Sequence, residues 1–162
     1  MDPRRRMLLR GRLASPPVAA PRPPWALQPD AVFTDRCTRC DRCIEACPVH
    51  ILQRGDDGFP EVSFSQSGCT ACGDCVRLCE PRALVRQPDA TPWTWRVQIT
   101  ERCLAKRQVE CRVCGEVCDH AAIRFRPQLG RVTQPVVDVD ACTGCGECVA
   151  RCPVGAVELF NP

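Results

Sequence analysis

The 162-residue chain has no tyrosine, three tryptophans, five phenylalanines and two histidines. With so few large rings there is little to build a conventional core from, and halves of about 70 residues sit near the size at which apolar burial alone stops sufficing. Long apolar runs are missing too: none exceeds three residues, against the roughly 20 that a membrane-spanning helix needs. The expectation is a soluble chain, not an integral membrane protein. No G-x-G-x-x-G fingerprint, Walker-type phosphate loop or Ser-His-Asp pattern occurs, so flavin, nicotinamide, nucleotide and triad chemistry have no support.

Cysteine is what the chain has in excess. Sixteen fall in four quartets: Cys37, Cys40, Cys43, Cys47; Cys69, Cys72, Cys75, Cys79; Cys103, Cys111, Cys114, Cys118; and Cys142, Cys145, Cys148, Cys152. Three have the spacing C-x2-C-x2-C-x3-C, and the third opens with C-x7-C. A disulfide scaffold would call for scattered pairs in a secreted chain, and zinc sites come as two C-x2-C pairs with a longer spacer. The repeated run fits 4Fe-4S clusters instead. Three cysteines on an irregular loop wrap three iron corners, while the fourth, one helical turn further on, is carried to the other cluster of the pair.

The expected ligand sets are therefore Cys37, Cys40, Cys43 and Cys79 for cluster one, and Cys69, Cys72, Cys75 and Cys47 for cluster two. Cluster three takes Cys103, Cys111, Cys114 and Cys152, and cluster four takes Cys142, Cys145, Cys148 and Cys118. Pro48 and Pro153 directly follow the last cysteine of their runs; the second run has Pro81 one place later, and the third has Asp119 and His120 there. The third quartet departs furthest from the pattern, with Leu104 to Glu110 inserted as an expected helical turn beside its cluster. Gly73, Gly144 and Gly146 suit backbone that approaches sulfide closely or takes positive φ. His50 and His120 are expected outside the ligand sets. Asp35, Asp41, Glu45, Asp74, Glu116, Asp140 and Glu147 read as a solvated acidic face that can also steer a positively charged partner.

The even spacing of the quartets predicts an α+β fold of two tandem bacterial-ferredoxin-like modules, each with short hairpins and short helices, at 31–90 and 91–162. Ile51 and Leu52, the turn Gly55 to Gly58, then Phe59, Val62 and Phe64 read as a hairpin. Ile123 and Phe125, a turn near Gly130, then Val132, Val136 and Val137 repeat it. Ala83 to Val85 and Val157 to Phe160 read as closing strands, and Trp93, Trp95, Val97 and Ile99 as a period-two strand opening the second half. Ahead of these, 1–30 is a basic arm. Its seven prolines favour an extended lead, and its six arginines against two aspartates leave the rest of the chain near neutral. Each oxidised cluster with its four thiolates adds about −2, which takes the formal charge from +3 to about −5. A net acidic body argues against nucleic acid as a partner.

Taken together, RRRMLLRGR at 4–12, RPPW at 22–25, CTRCDRCIEAC at 37–47, ILQRGDDGFP at 51–60, CLAKRQVECRVCGEVC at 103–118, IRFRP at 123–127 and CTGCGECVARCPVGAV at 142–157 resemble the NapF family of ferredoxin-type proteins. The Arg-rich start, RPPW and the stretched third quartet carry that resemblance beyond any polyferredoxin. It implies a cytoplasmic accessory of the periplasmic nitrate reductase system that meets the catalytic subunit before export, and acts by cluster loading or electron supply. It implies no catalysis by the chain alone. Arg4, Arg5, Arg6 and Arg10 are the first residues to test for that pairing. The twin-arginine-like string at 5–10 lacks a following apolar stretch, so it reads as a docking or solvated arm and not as an export signal. The competing readings are an electron carrier with another redox partner, an electron-transfer subunit of another redox complex, and a structural subunit whose clusters chiefly hold the fold.

Overall fold

The computed structural model describes residues 21–88 and 90–162. The extended lead, with Arg4, Arg5, Arg6 and Arg10, lies outside the described residues up to position 20. The last stretch assigned to the arm, 21–29, packs into the first half. Val62 N–H donates to the Pro21 carbonyl at 2.8 Å, the Trp25 ring is buried, and Arg22 pairs with Asp30 at 2.8 Å and Asp57 at 3.1 Å. The Arg22 guanidinium also lies 5.4 Å from the Phe33 ring centroid and 5.2 Å from that of Phe59.

The first half runs α1 (Asp30–Arg36), α2 (Arg42–Glu45), β1 (Leu52–Arg54), β2 (Pro60–Val62) and α3 (Asp74–Arg77). β1 and β2 form the expected hairpin, Leu52 opposite Val62 and Arg54 opposite Pro60. Its turn is closed by Gly55 N–H to Phe59 O at 2.8 Å, with Gly58 at φ +80°. The closing piece at 83–85 makes a bridge, not a strand: Leu84 pairs with Ala26, flanked by Leu27 N–H to Ala83 O and Val85 N–H to Trp25 O. The second half follows the same order with β3 (Arg96–Ile99), α4 (Val113–Glu116), β4 (Ile123–Gln128), β5 (Arg131–Val137), α5 (Glu147–Arg151) and β6 (Val157–Phe160). β4 pairs with β5, and β3 with β6, both antiparallel. Two-stranded sheets and short helices make up both halves, and among the described residues no helix is long and apolar enough to cross a membrane.

The strand expected from Trp93 to Ile99 starts only at Arg96. Arg96 faces Phe160, the last residue of β6, and Trp93 and Trp95 stand outside the sheet. Instead the two indoles stack, centroids 4.7 Å apart and 17° between planes, and Phe64 meets both edge-on. This aromatic group joins the halves. All three indole N–H groups are satisfied: Trp25 by Ala90 O, Trp93 by Arg22 O and Trp95 by Gly144 O. Elsewhere the core is thin: Phe33, Ile51 and Val97 are its largest fully buried side chains outside proline, and six of the cysteines are buried with them.

Candidate metal centres

Each regular cysteine loop has the same backbone rhythm. The residue two places after the first cysteine and the residue four places after it both take positive φ: Arg39 (57°) and Asp41 (61°), Ala71 (54°) and Gly73 (82°), Gly144 (72°) and Gly146 (83°). Such left-handed residues turn successive backbone N–H groups to one side and make a concavity that favours an anion. The short helix carrying the third cysteine starts at once, with Asp41, Gly73 and Gly146 as the residues before α2, α3 and α5. A second rhythm follows the fourth cysteine. Three residues on, His50, Arg82, Ala121 and Gly155 all have φ between 49° and 57°, which turns the chain back toward the hairpin or closing segment. The glycines at 73, 144 and 146 signalled the first rhythm in the sequence; nothing signalled the second, since only one of its four positions is glycine.

In the first half these loops line two pockets. Cys37, Cys40, Cys43 and Cys79 line one, together with Phe33, Leu78, Ala83 and Leu84. Cys47, Cys69, Cys72 and Cys75 line the other, against Trp25, Ile51 and Leu52. Each pocket thus has three cysteines of one quartet and the fourth of the other. In the second half, Cys103 and Cys152 share a buried group with Ala105 and Ala156. Burial pushes the Cys114 thiol up to about 11, with Cys103, Cys111 and Cys152 adding to it. Burial likewise raises Cys148 to about 12, reinforced by Cys145, Cys142, Cys114 and Cys118. The thiols near Cys114 thus include Cys152 of the last quartet, and those near Cys148 include Cys118 of the third. The third quartet's inserted segment makes a single turn closed by an i to i−4 hydrogen bond, Arg107 N–H to Cys103 O at 3.1 Å, with Ala105 wholly buried. The position after Cys111 lacks the left-handed turn, Arg112 having φ −130°.

The same electrostatics recur throughout. Desolvation raises Cys43 and Cys69 to about 11 and Cys75 to about 12, and Cys37 and Cys145 in the same direction. A backbone donor opposes it at Cys69, whose Sγ the Ala71 N–H reaches at 3.3 Å. Buried thiols with these shifts keep their protons until a cation displaces them. All sixteen cysteines are free of disulfides. Among the described residues no three His, Cys, Asp or Glu side chains converge on a point fit for a single ion. Thiols ranged around a cavity suit a ligand with volume of its own, and the concave backbone suits one with negative charge. The donor set fits 4Fe-4S clusters and does not fit lone zinc ions.

His50 and His120 are both exposed, His120 at the rim of a cleft between the halves. The acidic face is only partly solvated. Asp35, Glu45, Glu116 and Asp140 are exposed, whereas Asp41 pairs with Arg54, Asp74 with Arg77 and Glu147 with Arg151. The Arg151 guanidinium at 2.7 Å holds the Glu147 carboxyl below its ordinary range, with the Gly68 N–H adding to it against burial. Sequence reading singled out neither Gly68 nor this contact across the halves.

Two stretches, 36–83 and 109–156, match the family described as a 4Fe-4S dicluster domain; the second begins after Cys103. The chain is 49% identical over 138 residues to the ferredoxin-type protein NapF of Haemophilus influenzae, covering 85% of this chain and 77% of that protein. Identity to the ferredoxin-type protein NapF of Escherichia coli K12 is 41% over 157 residues, 97% of this chain and 94% of that protein. The methylamine utilization ferredoxin-type protein MauM of Methylobacillus flagellatus is 34% identical across 94% of this chain and 71% of its own length.

Proposed function

The chain belongs to the NapF family of ferredoxin-type proteins and carries two 4Fe-4S dicluster domains in tandem, and from that premise we propose that it holds four 4Fe-4S clusters and serves as an iron-sulfur accessory of the periplasmic nitrate reductase system. The ligand sets are Cys37, Cys40, Cys43, Cys79; Cys69, Cys72, Cys75, Cys47; Cys103, Cys111, Cys114, Cys152; and Cys142, Cys145, Cys148, Cys118. Bound there, the clusters supply one-electron redox chemistry at potentials set by hydrogen bonds to sulfur, charge and solvent exposure. The chain's own contribution is the thiolates, the N–H groups of the left-handed loops, and exclusion of water by Phe33, Ile51 and Leu52. The single observation supporting this reading is the composition of the two first-half pockets, each with three cysteines of one quartet and one of the other.

In this proposal the protein works in the cytoplasm on the reductase's catalytic subunit before export, by loading its cluster or supplying electrons to it. The test is an anaerobic pull-down from cells expressing an export-blocked catalytic subunit. Capture of the cluster-free subunit but not the mature one supports the maturation role; equal capture of both, or of neither, defeats it. One observation favours a second reading, that of an electron carrier with another redox partner. Cys40 and Cys72 are exposed, which leaves two ligand sets open to electron exchange at the surface. Fast electron exchange with a redox protein, without capture of the immature subunit, would establish that reading instead.

A further inference from the structure

The halves meet through two of the cysteine loops. Cys69 N–H donates to the Cys145 carbonyl at 2.7 Å, and Gly68 N–H donates to Glu147 Oε2 at 2.6 Å. The approach is too close for any side chain at 68: a Cβ there would lie 2.5 Å from Glu147 N and 2.7 Å from its Cα, which is backbone that cannot swing aside. Phe64 presses on Gly146 and Trp95 on Gly144, two rings that also meet each other edge-on. Among the described residues no other backbone hydrogen bond joins a cysteine of one half to a cysteine of the other. Within each half the ligand helices pack in pairs, α2 on α3 and α4 on α5. That packing sets the helix carrying Cys43 against the one carrying Cys75, and the helix carrying Cys114 against the one carrying Cys148.

Resting on the four ligand sets proposed above, we propose that these sets run through the molecule in the spatial order one, two, four, three, and that the Gly68-Cys69 contact with Cys145-Glu147 is the bridge over which electrons cross between the halves. No bond is made or broken at the bridge and no proton moves. One electron lost on the Cys69 side is the electron gained on the Cys145 side. Gly68 and Glu147 are positioning residues: the first permits the close approach and the second anchors it, with Arg151 holding the carboxylate in place at 2.7 Å. The order also makes the two ends of the path unlike. Set one ends at the exposed Cys40, whereas set three ends at the buried Cys103, beside the turn that buries Ala105. The first end is the one open to an external one-electron donor or acceptor.

The test uses the full chain, purified anaerobically, with iron and acid-labile sulfide counted before any spectrum is read. Fewer than four clusters in the unaltered protein would defeat the ligand assignment, not the bridge. With four clusters present, the dithionite-reduced protein is expected to show spin-spin interaction between the halves by EPR. Gly68→Ala should keep its iron and lose that interaction; Glu147→Ala should weaken it, and Glu147→Gln, which retains an acceptor for the Gly68 N–H, should restore it. An undiminished interaction in an iron-replete Gly68→Ala protein overturns the bridge. Should Gly68→Ala fail to accumulate, the double variant Cys40→Ser with Cys111→Ser, which empties the terminal sets, is read in its place. Its two remaining clusters must still interact, and two isolated, uncoupled signals overturn the order.

Discussion

Removing cysteines in pairs tests the exchange of fourth ligands more sharply than removing them singly. Cys103→Ser alone is expected to cost about a quarter of the bound iron, because one of four clusters loses a thiolate. That result would follow equally if each quartet kept all its own ligands. The structure separates the two arrangements, because the thiols beside Cys114 are Cys103, Cys111 and Cys152, while Cys145 has Cys118 and Cys142 beside it. Cys103→Ser with Cys152→Ser then strikes one set twice, and the loss stays at about a quarter, a strongly non-additive result. Cys103→Ser with Cys118→Ser strikes two sets, and the loss rises to about half. Quartets that kept their own ligands would give the reverse, about half for the first pair and about a quarter for the second. Iron, labile sulfide and integrated EPR intensity on anaerobic material give the count, and alanine at the same positions repeats it without a hydroxyl. The reversed pattern would refute the exchange, and so would an iron content unchanged by Cys103→Ser.

Glycine substitutions should separate backbone strain from crowding. Gly155→Ala (φ +57°, nothing within 4 Å) should cost only about 1 kcal/mol in anaerobic denaturant unfolding, whereas Gly144→Ala, whose Cβ would lie 2.6 Å from Trp95 Cδ1, should cost about 2–4 kcal/mol; equal costs would refute the crowding. Arg22→Ala, which removes two ion pairs and the cation over Phe33 and Phe59, should destabilise by about 1–3 kcal/mol, and Arg22→Lys by less; a melting temperature unmoved by either would remove Arg22 from the structural account. Cluster retention against a chelator should improve as pH rises from mildly acidic to mildly basic, since thiols held at about 11 to 12 must each release a proton to bind; retention that worsens over that range contradicts the assignment. In the metal-free chain the sign reverses. The folded state keeps protons that the unfolded thiols, at their ordinary 9.0, give up, so the stability they contribute is whole below about pH 9 and is lost as pH climbs through about 11 to 12, a trend that urea midpoints under reducing conditions would follow.

The hairpins at 52–62 and 123–137 were legible because Gly55 to Gly58 and Gly130 punctuate alternating apolar residues, a local signal that local structure honours. The single-turn helices followed from the spacing of the third and fourth cysteines. What escaped reading depends on contacts remote in sequence. Arg22 looks like one more charge of a basic, proline-rich lead, yet Asp30, Asp57, Phe33 and Phe59 converge on it only once the hairpin has folded. Trp93 and Trp95 have the period of a strand and are spaced to share a face, but a strand needs a partner, and β6 ends opposite Arg96. Glu147 reads as a surface acid at the start of a helix; its role comes from Gly68, 79 residues away.

The choice between glycine and other residues at the left-handed positions follows what each loop faces. Residues with a Cβ at such positions carry a conformational cost of about 1–2 kcal/mol each, so Arg39 and Asp41 in the first loop need a compensating return. Both find it on their own half's hairpin: the Arg39 guanidinium lies 4.1 Å from the Phe59 ring centroid, and Asp41 pairs with Arg54 of β1. Their side chains fasten the loop to the sheet beneath it. In the fourth loop that solution is closed. Trp95 of the same half occupies the space at Gly144, and Phe64 of the other half the space at Gly146. Replacing Gly144 or Gly146 by Asp would place a charge against an indole or a phenyl ring, and the cost would be crowding as well as strain. Glycine at 144 and 146 thus marks the loop that abuts aromatic rings, and Arg39 with Asp41 marks the loop that rests on its own sheet.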